Sequence, residues 1–322
     1  GEPRIDFQGN TKGALKLEPQ RTNLLSYSSE LNIGTSGTAS VSSNTTISPD
    51  GALNADTLGV GYLSKSVSAA ANTYTLSVFV KVEVSSTASI YIYDGTYYSG
   101  TYDLTTGIST GVGTSMVNYG NGWWRCIITQ AIASTISEIG FNSGQVYGYG
   151  LQLEQGSFRT SYIPTSGQSG GVTRVLDACS QTTPSSVIGQ TEGVLFIDAD
   201  YKNSAGDQTI LIGVSGFNDY MFIQMNSSNV LEAGIVVNTT EVARIGVGKT
   251  SGRYKCAFAY ANNDFVFYVN GVQVGTDTSG SMSGFAVDTI NLNHNSKGYS
   301  INNHLLYNTR LSNAELQALT TI

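Results

Sequence analysis

The chain has 322 residues, with 16 basic and 23 acidic side chains and a formal net charge of −7. No cluster of Lys or Arg occurs, so binding to nucleic acid is not expected, because a phosphate backbone requires a basic surface. No apolar stretch of about 18 residues occurs either, which argues against membrane insertion.

Short alternating segments, bounded by Gly, Asn, Asp and Ser, recur along the whole chain and predict antiparallel β-strands. Segments 75–82 and 89–93 show this alternation in the first half of the chain. In the second half, segment 265–269 leads directly into Asn270-Gly271, a dipeptide that is typical of two-residue hairpin turns. The prediction is therefore an all-β fold.

One short helix is predicted near the C-terminus. Ser312 is a suitable N-cap, and Glu315 follows it three residues later, which is the spacing of a capping box. The apolar residues that follow are expected to pack this helix against a sheet.

Two flexible, polar stretches near the middle of the chain indicate a domain boundary. We predict a first domain over residues 1–168, a linker over 169–187 and a second domain over 188–322. Each domain is expected to be an antiparallel β-sandwich, so that the chain contains two sandwiches in tandem.

The first predicted domain contains a series of motifs that resembles a module common in phage tail and fibre proteins. The motifs are LEPQRTNLL (17–25), SPDG (48–51), YTLSVFVK (74–81), NGWWRC (121–126), YGLQLEQGSF (149–158) and TSYIPT (160–165). That module is similar to jelly-roll carbohydrate-binding modules. The resemblance implies a partner that is a polysaccharide or cell-surface glycan, and a virion or extracellular location.

The second predicted domain resembles laminin-G-like, concanavalin A-type sandwiches. The resemblance rests on FYVNGVQVG (267–275) and LYNTRLSNAEL (306–316). Such domains occur in lectins, glycosidases, lyases and spacers, so the fold alone does not decide the function. We expect non-catalytic glycan binding in a phage-type receptor-binding or fibre protein. The alternatives are a polysaccharide lyase or glycoside hydrolase, and a structural virion decoration protein.

An aromatic cluster in the first domain is the leading candidate for a sugar-binding site. Side chains alternate along a strand, so Tyr91 and Tyr93 are expected to face away from the core. Tyr97, Tyr98 and Tyr102 are expected to extend the cluster. Flat rings on a rigid scaffold suit the apolar face of a sugar ring. The alternative is an aromatic layer that other side chains cover.

The dipeptide Trp123-Trp124 places one indole on each face of its strand. Trp124 shares a face with Cys126 and is expected in the core. Trp123 shares the other face with Arg125, and the two are candidates for ligand contact. A purely structural role for both is the alternative.

The sequence offers few candidates for enzymatic residues. The paired carboxylates of glycoside hydrolases have no counterpart in a recognisable motif. His294, His304, Tyr307 and Arg310 include the residue types that a polysaccharide lyase uses, within one stretch of sequence. These four are the candidate catalytic residues of the enzyme alternative, and no catalytic residue is expected otherwise.

No cofactor is expected from a motif, and the three cysteines lack the C-x-x-C spacing of zinc sites. The resemblance to jelly-roll sugar modules implies that a structural Ca²⁺ ion could be present. Calcium takes six to eight oxygen ligands. The candidates are Glu18, Asp50, Asp56 and Glu154 in the first domain, and Asp198, Asp200, Asp207 and Asp219, which are scattered in the second. The opening Gly1-Glu2-Pro3 resembles the start of an excised fragment. We expect this fragment to be a monomer and the intact protein to form a homo-oligomer.

Overall fold

The computed structural model describes residues 4–7, 12–32, 34–165, 168, 171–182, 186–202, 207–213, 218–294 and 297–322. The chain divides into two compact units. The inserted unit is Gln20–Val175, and the terminal unit combines Gly1–Pro19 with Leu176–Ile322.

The strands follow one another along the chain with short turns between them. The first two are β1 (Arg4–Asp6) and β2 (Ala14–Leu17). The inserted unit contains β3 (Arg21–Asn23), β4 (Ser36–Gly37), β5 (Val41–Ile47), β6 (Leu53–Leu58), β7 (Gly61–Ala69), β8 (Asn72–Val82), β9 (Thr87–Tyr93), β10 (Tyr97–Asp103), β11 (Ile108–Thr110), β12 (Thr114–Gly120), β13 (Trp123–Ile132), β14 (Ile136–Ser143), β15 (Val146–Gln155) and β16 (Val172–Arg174). The remaining elements are β17 (Ser180–Thr182), β18 (Glu192–Tyr201), β19 (Gln208–Gly213), β20 (Tyr220–Met225), β21 (Val230–Val237), β22 (Thr240–Gly248), β23 (Gly252–Ala261), β24 (Asp264–Val269), β25 (Val272–Asp277), β26 (Thr289–Asn291), β27 (Tyr299–Tyr307) and α1 (Asn313–Thr320).

The inserted unit is a sandwich of two six-stranded antiparallel sheets. Sheet I has the strand order β11-β10-β9-β14-β7-β4, and sheet II has the order β12-β13-β8-β15-β6-β5. The core between them takes Ile90 and Ile92 from sheet I, and Leu76, Val78 and Val80 from sheet II. A smaller apolar cluster lies on the other face of sheet II. Sheet II is therefore covered on both faces.

The terminal unit is a second sandwich. Sheet III has the order β1-β2-β27-β18-β23-β24-β25, and sheet IV has the order β17-β26-β19-β20-β21-β22. The predicted hairpin joins β24 to β25, and both Asn270 and Gly271 have positive φ, at 50° and 78°, as a type I′ turn requires. The predicted capping box is also present, between Ser312 and Glu315. Leu316 of α1 packs on the outer face of sheet III. The prediction of an all-β fold is confirmed.

The first 19 residues differ from the predicted domain division. They belong to the terminal unit because β2 pairs with β27, with Leu15 opposite Ile301. The predicted linker 169–187 also contains paired strands: β16 pairs with β3 and β17 with β26. Linker residues 169, 170 and 183–185 lie outside the described residues.

Throughout the described ranges, we find no helix with the length and apolar character needed to cross a membrane.

Candidate functional site

The outer face of sheet I carries an aromatic cluster, which we call the tyrosine face and define by Tyr91, Tyr93 and Tyr97. The antiparallel register of β9 and β10 places Tyr93 directly opposite Tyr97. Ile90 and Ile92 are fully buried, whereas Tyr91 and Tyr93 are partly exposed. The predicted alternation along β9 is confirmed.

The three rings of the tyrosine face form one contiguous surface. The ring centroid of Tyr97 lies 4.5 Å from that of Tyr93, with the planes tilted by 36°. It lies 5.3 Å from the centroid of Tyr91, in an edge-to-face arrangement. Tyr97 is 65% exposed, so the centre of the cluster is open to solvent. Contiguous aromatic surface of this kind is informative where a single exposed ring is not.

Tyr91 is held in place by two features of the neighbouring strand β14. Its hydroxyl donates a hydrogen bond of 2.5 Å to Oε1 of Glu138. Its ring lies against the backbone of Gly140, where an added Cβ would stand 2.1 Å from Cζ of Tyr91. Burial, together with the hydrogen bond to the carboxylate, raises the pKa of Tyr91. The ring is therefore fixed before any ligand arrives.

Polar residues that the sequence analysis did not select surround the tyrosine face. β14 and β7 place Glu138 opposite Ser66, Gly140 opposite Ser64 and Asn142 opposite Tyr62. Tyr62 is 43% exposed. The signal was present as alternation in segments 62–66 and 138–142, but only the strand pairing shows that β14 lies next to β9 and that β7 follows β14 in the sheet.

Two of the predicted tyrosines do not belong to the tyrosine face, which corrects the prediction. Tyr98 lies opposite Ile92 and packs against the core of the sandwich. Tyr102 is completely buried, and its hydroxyl donates to the carbonyl oxygen of Ile127 at 2.7 Å. The reason is that β10 already begins at Tyr97, so even-numbered side chains along it point inward.

Trp123 and Arg125 are buried, which excludes both from ligand contact in this conformation. Trp123 is 2% exposed, and its Nε1 donates to the carbonyl oxygen of Ile47 at 3.1 Å. The Arg125 guanidinium donates from Nη1 to the Thr160 carbonyl oxygen at 2.7 Å and from Nη2 to Ser77 Oγ at 2.9 Å. Of the predicted pair of indoles, Trp124 is the one that packs, partly buried, against the main core.

The outer face of sheet II is covered by the segment that follows β15. Arg125 lies 5.0 Å below the ring of Phe79, and Tyr162 packs on the same ring edge-on. Burial lowers the pKa of Arg125. Arg125 therefore has a structural role, because it anchors the segment that follows β15 at Thr160.

The four candidate residues of the enzyme alternative do not converge. His304 and Tyr307 lie on opposite faces of β27, and Tyr307 packs towards α1. Burial lowers the pKa of His304 to about 4. Arg310 forms an ion pair with Asp264 at 2.9 Å. His294 follows β26, and its backbone N–H donates to the carbonyl oxygen of Thr209.

The acidic candidates for calcium binding already accept hydrogen bonds or form ion pairs. Asp50 accepts from Tyr149, Asp56 from the backbone of Leu31, Glu154 from Thr160, and Glu18 pairs with Arg4. Across the described ranges, no three His, Cys, Asp or Glu side chains converge on one point. A structural Ca²⁺ ion remains a prediction, which thermal unfolding with and without a chelator would test.

Comparisons with known proteins give partial structural similarity. The chain matches no protein-family model, and no curated protein matches it significantly. Similar solved structures include Ruminococcus gnavus IT-sialidase CBM40 bound to α2,3-sialyllactose, with 18% identity and a TM-score of 0.37 over 43% of this chain and 86% of that one. A leech intramolecular trans-sialidase has 17% identity and a TM-score of 0.37, over 45% of this chain and 26% of that one. A SAP-like pentraxin from Limulus polyphemus has 11% identity and a TM-score of 0.33, over 39% of this chain and 68% of that one. Similarity at this level assigns neither a family nor a ligand to the chain, and its fold class rests on its own sheets.

Proposed function

We propose that this chain binds glycans without catalysis, through the tyrosine face of the inserted unit. The observation that carries the proposal is the contiguity of the three rings, with the most exposed, Tyr97, at their centre and within 5.3 Å of both others. A sugar ring presents an apolar face of C–H groups, which stacks on such a surface. Its hydroxyls require polar partners at the edge.

The surroundings of the rings supply these polar partners. Glu138 lies beside Tyr91, the exposed Asn142 lies on β14 next to β9, and the exposed Ser66 lies opposite Glu138 on β7, the following strand of the sheet. These side chains stand on paired strands rather than on loops, so their positions are fixed by the sheet. A glycan therefore meets a preformed surface, and little conformational entropy is lost when it binds.

The test is affinity electrophoresis of the chain in gels that contain bacterial or algal polysaccharides, followed by substitution of Tyr97. The Tyr97→Ala variant should bind the retarding polysaccharide more weakly by about 1–3 kcal/mol, by analogy with aromatic stacking on planar rings. This corresponds to roughly 5- to 150-fold in Kd. The melting temperature should change little, because the side chain is 65% exposed.

Ile108→Ala is the matched control. Ile108 is 63% exposed and pairs with Asp103, six residues along β10 from Tyr97. The variant thus removes exposed apolar surface from the same sheet but away from the tyrosine face. Equal binding by the wild type and Tyr97→Ala would refute the proposed site, and no retardation by any polysaccharide would favour a purely structural role.

We further propose that the chain acts in a phage-type receptor-binding or fibre protein, in the virion or outside the cell. The support is the series of motifs between residues 17 and 165 that resembles phage tail modules.

We also propose that this fragment is a monomer and that the intact protein is a homo-oligomer, in which several weak sites act together. Light scattering coupled to size exclusion tests the first point, and a stable trimer at micromolar concentration would contradict it.

A further inference from the structure

A polar depression of about 280 Å³ lies on the outer face of sheet IV in the terminal unit. The register of β19 to β22 forms it. One row of cross-strand neighbours contains Thr209, Gln224 and Glu232, and the next row contains Phe222 and Arg244. Its size is near the lower end of ligand pockets, which span roughly 300–1,000 Å³. The depression therefore suits one or two rings rather than a long chain.

Two glycines in these rows create the depression. Gly234 stands between Phe222 and Arg244, and an added Cβ there would lie 2.7 Å from Cζ of Phe222. Gly246 stands beside Glu232, where an added Cβ would lie 2.9 Å from the Cβ of that residue. Side chains at these positions would fill the space, so the glycines keep the face concave.

Glu232 lies directly opposite Gln224, which lines the depression, and is only 7% exposed. Its Oε1 accepts hydrogen bonds from Gln224 Nε2 at 2.7 Å, Asn226 Nδ2 at 3.1 Å and Arg244 Nη1 at 2.9 Å. Thr209 Oγ1 donates to Oε1 of Gln224 at 2.9 Å and thereby fixes the orientation of that amide. Because three donors use Oε1, Oε2 is the carboxylate oxygen that remains for a ligand.

Arg244 provides donors and a flat surface. Its guanidinium lies 4.9 Å from the ring centroid of Phe222. Nε and Nη2 donate to Glu241 Oε2 at 2.9 and 2.6 Å. With the bond to Glu232, three of the five N–H groups of an arginine are used. The side chain is 40% exposed, so the other two N–H groups can reach a ligand.

The charges in the depression select against anions. The carboxylates of Glu232 and Glu241 outnumber the single guanidinium that they flank. His294 borders the depression, and burial lowers its pKa, so it is uncharged at neutral pH. A cationic ligand is disfavoured as well, because the Arg244 guanidinium already occupies the position over the ring of Phe222.

We infer that this depression is a second binding site, specific for a neutral sugar residue. One sugar hydroxyl donates to Oε2 of Glu232, and a neighbouring hydroxyl accepts from the N–H groups of Arg244. Tyr220, which also lines the depression, provides apolar contact at the edge of the sugar ring. The site belongs to the terminal unit, so it does not depend on the tyrosine face.

The test uses the full chain with the Tyr97→Ala substitution, so that the tyrosine face is impaired. Saturation-transfer NMR is recorded with the methyl glycosides of glucose, galactose and mannose, and with methyl glucuronide as the charged counterpart of methyl glucoside. We expect transfer to at least one neutral glycoside and weaker transfer to the glucuronide. Adding Glu232→Gln should weaken the affinity by about tenfold or more, as expected for a lost hydrogen bond to a charged group.

Arg244→Ala is the second variant and serves if Glu232→Gln does not fold. The Arg244 side chain is exposed, so it can be removed without disturbing the fold. This variant should cause a similar loss, whereas Arg253→Ala, at an exposed arginine of sheet III, should not. Absent transfer from every neutral glycoside, unchanged transfer in both variants, or a preference for the glucuronide would overturn the inference. Binding that survives Tyr97→Ala but is lost with Glu232→Gln would support this site, whereas the tyrosine face is tested separately by electrophoresis of the Tyr97→Ala variant in polysaccharide gels.

Discussion

Replacing Arg125 by alanine should destabilise the inserted unit strongly. The side chain is completely buried and donates to Ser77 and Thr160 rather than to a carboxylate. Its removal leaves the Thr160 carbonyl without this donor, which costs about 1–3 kcal/mol. It also opens a cavity below Phe79, and large-to-alanine substitutions in cores typically cost about 2–5 kcal/mol. Relief from burying a charge offsets part of the sum, so we expect a net loss of about 3–5 kcal/mol.

The assay is urea unfolding followed by tryptophan fluorescence. The two tryptophans of the chain are Trp123 and Trp124, and both lie in the inserted unit, so the signal reports that unit selectively. At about 2–4 °C per kcal/mol for a domain of this size, the melting temperature should fall by about 6–20 °C. Arg125→Met, which fills most of the volume without the charge, should lose less than the alanine variant.

Arg159→Ala is the control for this prediction. It removes the same charge from the segment that covers sheet II, but the side chain is only partly buried and bonds to the Tyr119 hydroxyl at 3.2 Å. We expect a change below about 1 kcal/mol, as for an exposed or half-exposed contact. A loss of similar size in both variants, or a loss below 1 kcal/mol for Arg125→Ala, would refute the role of Arg125 as an internal anchor.

Two further predictions concern the tyrosine face and the terminal unit. Gly140→Ala should displace Tyr91, because the new Cβ would lie 2.1 Å from Cζ of that ring. Polysaccharide binding should weaken in affinity electrophoresis, with a stability loss of about 1–3 kcal/mol, whereas Gly248→Ala, in open space, should change neither. His304 has a folded pKa of about 4 against an ordinary value of 6.5, so between these pH values the unfolded chain binds the proton that the folded chain excludes. The free energy of unfolding contributed by the neutral, buried His304 is complete above pH 6.5 and decreases as the pH falls towards 4, by up to about 3 kcal/mol. The His304→Gln variant should show a weaker pH dependence of stability in urea unfolding followed by circular dichroism. An unchanged dependence of stability on pH would contradict the prediction.

The strands and their faces were largely predictable because they depend on local patterns. Alternation along β9 separated Ile90 and Ile92 from Tyr91 and Tyr93, and the structure has the same separation. The hairpin after β24 and the capping box of α1 were predictable for the same reason, since a few adjacent residues determine each of them.

The misplaced residues have non-local causes. Alternation correctly put Trp123 and Arg125 on the face opposite Trp124, but it could not show that a segment more than thirty residues later covers that face. The pairing of β2 with β27 joins Leu15 to Ile301, and no local pattern encodes a partner so distant in sequence. The sites on sheets I and IV depend on register in the same way, because their polar residues come from separate strands.

The coverage of the two sheets determines where the inserted unit can bind a ligand. The outer face of sheet II is filled by Phe79, Trp123 and Tyr149, over which Tyr162 packs, so a ligand would have to displace a bonded segment of the protein itself. The outer face of sheet I instead presents Tyr97, which is largely exposed, among hydroxyl, amide and carboxylate side chains. A sheet that packs on one side only can hold aromatic rings rigidly from below while their upper faces stay accessible. The aromatic residues on the outer face of sheet II therefore act in folding, whereas Tyr97 on the outer face of sheet I is exposed, which is why we propose that face for recognition.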